Sequence, residues 1–236
     1  MESKLTERQR TEKKYHNKSN KRRINYHQDK TPRAYQYFYS LIYNANELKV
    51  LDFGCGEGWL SMQLAQKGAH VWGMDISEML IERANYLIKD SEFLDKITFS
   101  VMAAESLEYE NYFFDLVVGS AILHHTDLDQ SIQEISRVLK QDGKAIFIEP
   151  MNQNFILKIW RWLTPWRRSP TEKAFVWNDI TFIQTIFPNT KKSYFGFLTI
   201  LTSGILILFP KNRFANSIHN TLENIDKKIL SVFPFL

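Results

Sequence analysis

The chain has 236 residues, 44% hydrophobic and 24% charged, a globular composition long enough to bury a core without covalent cross-links. Its single cysteine, Cys55, excludes an intramolecular disulfide framework and a multi-cysteine zinc cluster, and fits a reducing compartment. The net charge of +4 is unevenly spread: Met1–Arg33 carries +7, Ala34–Pro150 carries −10 and Met151–Leu236 carries +7, so the basic ends are either solvated arms or contacts for an anionic partner, lipid or nucleic acid.

Met1–Asp29 is polar and lacks the apolar run of a secretory signal, while Glu2, Glu7 and Glu12 interrupt the basic pattern of a mitochondrial presequence. It reads as a basic arm. Thr31 and Pro32 predict a helix start, with the helix running to Tyr43. Strands and helices then alternate. Leu48–Phe53 is a short apolar strand, Gly58–Lys67 a helix closed by Gly68, and Ala69–Asp75 a second strand. Ser77 caps a helix reaching Lys89, Lys96–Val101 is a third strand and Phe113–Ser120 a fourth. Asp127–Leu139 has helical spacing, Gln141-Asp142-Gly143 reads as a turn, and Lys144–Glu149 is a fifth strand stopped by Pro150. Strands rich in Val, Ile and Phe, each followed by a helix, predict a doubly wound, mostly parallel α/β sheet over 47–150. Such sheets bind ligands beyond the carboxyl ends of their strands.

Beyond Pro150 the pattern changes. Tryptophan, leucine and arginine mix in Phe155–Ser169, Thr181–Phe187 looks helical, and Lys191–Thr199 has the alternation of a sixth strand. The apolar run Phe195–Phe209 has 15 residues, short of the ~20 that span a bilayer as a helix. An amphipathic helix over Arg213–Val232 places Phe214, Ile218, Leu222, Ile225 and Ile229 on one face. These helices either face lipid or cover the sheet.

The most informative stretch is VLDFGCGEG, Val50–Gly58, in which Gly54, Gly56 and Gly58 form a glycine loop between a strand and a helix. Asp75 ends the next strand, where a carboxylate accepts hydrogen bonds from ribose hydroxyls. The dinucleotide fingerprint wants a third glycine at 59, where this chain has Trp59. Asp52 before the loop suits a cationic ligand better than a pyrophosphate. Both residues favour S-adenosylmethionine over NAD.

This stretch, with GMDIS (73–77), FFDLVVGSAILHHTD (113–127) and EISRVLKQDGKAIFIEP (134–150), resembles the motifs of the class I S-adenosylmethionine-dependent methyltransferases, of the type that includes quinone and sterol methyltransferases. The resemblance implies a Rossmann-like fold and S-adenosylmethionine as cofactor. It implies that Asp52 and the loop Gly54, Cys55, Gly56 and Gly58 hold the methionine moiety, that Asp75 binds the ribose and that Ile76 packs on the adenine. The family often has an aspartate at the end of the third strand; here Ala103 aligns with it, so adenine recognition falls to backbone groups near Ala104 or to Glu105. Ser120 ends the fourth strand at the same mouth. Tyr15 and His16 read as surface arm, with a lid over the cofactor as the alternative the resemblance offers.

Methyl transfer from a sulfonium has a neutral leaving group, so the enzyme chiefly orients the reactants and excludes water. A base is needed only where the acceptor must lose a proton. His124 and His125 are candidates at the mouth, with Glu149 at the end of the fifth strand as a third, and each histidine is alternatively a packing residue. No clear carboxylate set accompanies the histidines, so no metal is expected. The expected organisation is a basic arm and lid helix over 1–46, a cofactor-binding domain over 47–150, and a helical apolar cap over 151–236 that receives the acceptor, faces the membrane and completes the sheet. The expected function is methylation, O- ahead of C-, of a small lipophilic or membrane-associated acceptor by a cytoplasmic protein with peripheral contact to an anionic membrane. An RNA or protein methyltransferase is the alternative within the class, opposed by GSAILHH where amino-methylating nucleic-acid enzymes carry an aromatic tetrapeptide, so nucleic acid is not the expected partner. A catalytically silent membrane-associated scaffold is the alternative outside it, opposed by the intact glycine loop and Asp75.

Overall fold

The computed structural model describes residues 5–18, 33–42, 44–152, 158, 162, 169–173, 175–196, 198–199, 202 and 213–232. The expectations for the tryptophan-rich stretch 155–169 and for the apolar run 195–209 fall mostly outside these residues. Two helices, α1 (Glu7–Lys18) and α2 (Arg33–Leu41), precede the alternating unit. That unit is β1 (Lys49–Phe53), α3 (Trp59–Gln66), β2 (His70–Asp75), α4 (Glu78–Ile88), β3 (Ile97–Val101), β4 (Phe114–Ser120), α5 (Leu128–Val138) and β5 (Leu139–Ile148). Helices α6 (Trp177–Ile186) and α7 (Arg213–Val232) follow.

The sheet order is β3-β2-β1-β4-β5, with every neighbouring pair parallel. This is the doubly wound sheet that the strand–helix alternation predicts. Its centre is buried on both faces: Val50, Leu51, Phe53, Phe114, Val117 and Val118 are all fully buried. One layer packs Leu51, Phe53, Phe114 and Val117 against Ile132, Ile135 and Val138 of α5. The other packs Val50, Val71, Leu116 and Val118 against Phe38 of α2 and Leu64 of α3. Each such side chain contributes roughly 1.5–3 kcal/mol by leaving water. The order reverses between β1 and β4, so the crevice at their carboxyl ends is the expected ligand position.

Helix starts follow their caps. Ser77 Oγ accepts from Leu80 N–H at 3.3 Å, and Asp127 Oδ1 accepts from Gln130 N–H at 3.2 Å. Three expectations are corrected. Gln141-Asp142-Gly143 is not a separate turn but part of a ten-residue β5. Leu139 pairs with Phe114 and Lys144 with Leu116, so the four residues 140–143 of β5 oppose the single Asp115 of β4 and the excess bulges out, pinned by Lys140 Nζ on Asp115 Oδ1 at 2.6 Å. Lys191–Gly196 forms no strand, and the described sheet has five strands. The N-terminal arm is not all surface: α1 is a docked helix with Glu12 and Lys13 buried.

Candidate active site

The glycine loop is built as its sequence requires. Gly54, Gly56 and Gly58 have φ of 73°, 55° and 81°, the left-handed region that disfavours a side chain. At Gly54 there is also no room, since a Cβ would lie 2.4 Å from Ile122 Cγ1. Asp75 holds the loop from below: Oδ2 accepts from Gly56 N–H at 3.1 Å and Oδ1 from Ser77 N–H at 3.0 Å. Each oxygen keeps acceptor capacity on the cavity side. Cys55 N–H donates to Met74 carbonyl oxygen at 2.9 Å, tying the loop to β2, and the Cys55 thiol is buried. Asp52 is fully buried and accepts from Ser61 Oγ at 2.6 Å, so it braces the start of α3 and does not line the cavity.

The turn after β4 forms the opposite wall. Ala121 has φ of 55°, a strained backbone for a residue with a Cβ. The strain is held in place by Glu149. Its Oε1 accepts from Ile122 N–H at 2.9 Å and Leu123 N–H at 2.8 Å, and its Oε2 meets His124 Nδ1 at 2.6 Å. His124 is 6% exposed and turned away from the cavity, whereas His125 lines it. Ser120 Oγ shares a hydrogen bond with Tyr35 of α2 at 3.2 Å, outside the cavity lining.

Helix α1 crosses the mouth. Gln9, Glu12 and His16 lie on one face at spacings of three and four, and all three line the cavity. Gln9 Nε2 donates to Glu105 Oε2 at 2.8 Å, while Glu105 Oε1 accepts from Asp127 N–H at 2.9 Å, so this carboxylate joins α1 to the start of α5. Lys13 pairs with Glu78, and Asn17 Oδ1 accepts from Ser77 Oγ. Glu12 Oε1 accepts from Ser169 Oγ at 2.7 Å and from Thr171 Oγ1 at 2.5 Å. Its Oε2 lies 3.2 Å from His125 Nδ1 and 3.6 Å from His16 Nε2. The His125 contact is close enough for an ion pair but off the line a hydrogen bond needs. Burial opposes ionisation of Glu12, but His125, His16, Thr171 and Ser169 outweigh it and hold the carboxyl well below the usual carboxylate range. Sequence reasoning missed Gln9 and Glu12. Their signal was available as the polar three–four spacing with His16.

The enclosed cavity measures about 50 Å³ and is lined by Gly54, Asp75, Ile76, Ala104, Glu105 and His125 among the predicted residues, with Met74, Met102, Ile122 and Thr126 added. Asp52, Cys55, Gly56, Gly58, Ser120, His124 and Glu149 stand behind its walls. Buried carboxylate oxygens, an open-backed glycine loop and apolar walls from Ile76 and Met102 fit a nucleoside with a cationic substituent. With α1 across the mouth the space is too small for a ligand of that size. A far larger trough of about 1320 Å³ opens at the other ends of β1, β4 and β5. Of its two acidic groups, Asp115 is already paired with Lys140 and Lys49 N–H and Asp142 is exposed on the β5 bulge.

Residues 51–147 match the family described as a methyltransferase domain. The ubiquinone biosynthesis O-methyltransferase of Pelagibacter ubique is 36% identical over 107 residues, 45% of this chain and 43% of that protein. The protein of the same name from Nitrosomonas europaea is 32% identical over 127 residues, 52% of each. The chain thus spans about half the length of these curated relatives. Among solved structures, an S-adenosylmethionine-dependent methyltransferase from Methanosarcina mazei is 27% identical with a TM-score of 0.53, covering 65% of this chain and 84% of that one.

Proposed function

We propose that this chain, which belongs to the class I S-adenosylmethionine-dependent methyltransferases, binds S-adenosylmethionine beyond the carboxyl ends of β1 and β2 and methylates a hydroxyl of a small lipophilic acceptor. The observation that carries this is Asp75. Its two oxygens are fixed by Gly56 and Ser77 N–H at the lip of the cavity, with capacity left to accept from a ribose diol. When bound, the cofactor supplies an electrophilic methyl group on a sulfonium with a neutral leaving group.

The chain's own residues divide the remaining work. The backbone of Gly54–Gly56 lies against the amino-acid end of the ligand, and the buried charge of Asp52 behind it favours a cationic centre. Ile76, Met102 and Ala104 wall the adenine side, where Glu105 and backbone groups supply polar contacts. His125 takes the proton from the acceptor hydroxyl as the new oxygen–carbon bond forms, and Glu12 beside it stabilises the resulting imidazolium. His124 and Glu149 are positioning residues that hold the strained turn carrying His125. Helix α1, with Tyr15 and His16, is a lid that closes the site against water.

Similarity to relatives named for ubiquinone biosynthesis supports a phenolic quinone precursor as the acceptor class. The segment over 151–236 is the place for acceptor recognition, and the two basic ends suit a cytoplasmic protein touching an anionic membrane surface. No described helix is long and apolar enough to cross a membrane. The test is to incubate the chain with S-adenosylmethionine and a panel of prenylated catechols, quantifying S-adenosylhomocysteine and methyl ether. Stoichiometric formation of both, lost in His125→Ala with cofactor affinity kept, supports the reading. Cofactor binding without turnover on any phenol refutes the acceptor class.

A further inference from the structure

Helix α7 is turned inside out for a helix at a protein surface. The side chains it sends inward are polar. Asp226 is buried and accepts from Leu198 N–H at 2.7 Å, Thr199 N–H at 3.0 Å and Thr199 Oγ1 at 3.0 Å. His219 Nδ1 meets Thr202 Oγ1 at 2.7 Å, and Glu223 Oε1 accepts from Arg33 N–H at 3.3 Å. These contacts fix the rotation of the helix about its axis. With that rotation set, Phe214, Ile218 and Ile225 point to solvent, at 75%, 37% and 40% exposure. At 3.6 residues per turn, Phe214, Ile218, Thr221 and Ile225 fall within roughly 60° of arc, a continuous stripe about three turns long. The half-buried Leu222 and Ile229 border one side, and the exposed Lys228 borders the other with Arg213 beyond it.

An ordinary amphipathic helix packs its apolar stripe on the core and wets its polar face. Here the reverse holds, and the buried carboxylate of Asp226, with its three donors, prevents the helix from rolling over. Among the described residues nothing covers the stripe, which leaves it open to an apolar partner. Charge selects that partner. Met151–Leu236 carries a net +7, and cations lie along the stripe's edge, the combination that seats a helix in the headgroup region of an anionic bilayer. Trp162, 79% exposed in the same third of the chain, adds a side chain that favours this interface.

We infer that α7 docks on an anionic phospholipid surface, its Phe214–Ile218–Ile225 stripe entering the acyl boundary while Lys228 and Arg213 on its flank meet the phosphates. The inference deepens the membrane contact in the proposed function by naming the element that makes it. The test is sedimentation of the full chain with vesicles of phosphatidylglycerol and phosphatidylcholine (1:1) and of phosphatidylcholine alone. Wild type is expected to bind the mixed vesicles and bind the neutral ones at least ten-fold more weakly. Phe214→Ser/Ile218→Ser/Ile225→Ser loses binding to the mixed vesicles by about ten-fold or more. Arg213→Gln/Lys228→Gln weakens it by about five-fold per charge removed and narrows the difference between the two vesicles. Circular dichroism and S-adenosylhomocysteine titration of both variants confirm that fold and cofactor site survive, which separates failure here from failure of the methyltransferase reading. Wild type that ignores both vesicles, or a triple serine variant that binds like wild type, overturns the inference. So does a chain that dimerises through the stripe, with dimerisation lost in the serine variant and no vesicle binding.

Discussion

Replacing Glu12 by alanine releases α1 from the mouth of the cavity. The side chain is 3% exposed, serves as acceptor for Ser169 and Thr171, and lies 3.2 Å from His125 Nδ1 and 3.6 Å from His16 Nε2. Alanine leaves one of the two hydroxyl donors without an acceptor, since Ser169 Oγ and Thr171 Oγ1 lie 3.0 Å apart and can pair, and it removes the carboxylate beside both imidazoles. At roughly 1–3 kcal/mol per buried group left without a partner, the one stranded hydroxyl donor removes about 1–3 kcal/mol from the docking of α1. What remains is Lys13 on Glu78, Asn17 on Ser77 and Gln9 on Glu105, all of them part-exposed. Opening of α1 should therefore become about 5- to 150-fold more frequent, at 1.4 kcal/mol per factor of ten. Hydrogen–deuterium exchange of the full chain reads this directly. Amides over 11–18 should exchange faster by that factor while those of β1 and β4 keep their protection, because α1 lies outside the sheet. Association of S-adenosylhomocysteine should accelerate in the same variant, since α1 lies across the mouth. Unchanged α1 exchange, or an equal rise throughout the sheet, would refute the view that Glu12 is the latch of a local lid.

The same latch has a pH signature. The folded Glu12 carboxyl is held below its ordinary 4.5, so its stabilisation is fully present above that value and is lost as pH falls through the lower folded value; α1 protection should be flat at neutral pH and decline only below about 4.5. His125→Ala should lower turnover by about 10²- to 10⁴-fold without changing cofactor affinity, the range for loss of a general base. His124→Ala should instead destabilise the fold by about 1–3 kcal/mol in urea unfolding, because Glu149 loses its buried partner. Gly54→Ala should lower stability by about 2–4 kcal/mol and abolish cofactor binding, from the left-handed φ plus the 2.4 Å approach to Ile122; a variant as stable and as competent as wild type would contradict the loop geometry.

The parts of the molecule legible in the sequence are those where backbone and hydrophobic constraints coincide. Gly54, Gly56 and Gly58 occupy left-handed positions no other residue takes cheaply, and Asp75 ends β2 beside them. The alternation of apolar strands and helices carries the sheet, since a parallel strand buried on both faces must be apolar throughout. The failures share a different cause. Helix α1 docks through Gln9, Glu12, Lys13 and Asn17, so the apolar periodicity that reveals a packed helix is missing from it. The β5 bulge depends on Asp115 reaching Lys140, a contact between distant residues that leaves Gln141-Asp142-Gly143 looking like an ordinary turn. The three candidate catalytic residues looked equivalent because they share one end of the sheet. Only the hydrogen bonds of Glu149 separate the positioning pair from His125 at the cavity. In α7 the apolar face was readable and its outward direction was not, since Asp226, His219 and Glu223 set the rotation through partners elsewhere in the chain.

The central claim is that Asp75 and the glycine loop form an S-adenosylmethionine site. Calorimetric titration with S-adenosylmethionine, S-adenosylhomocysteine and NADH, on wild type and on Asp75→Ala, tests it most directly. The account predicts micromolar binding of the two adenosyl ligands, no binding of NADH, and a loss of about 10²-fold or more in the variant from the removed charge-assisted hydrogen bonds. A folded wild-type chain that binds neither adenosyl ligand, or an Asp75→Ala variant that binds them as tightly as wild type, would contradict it.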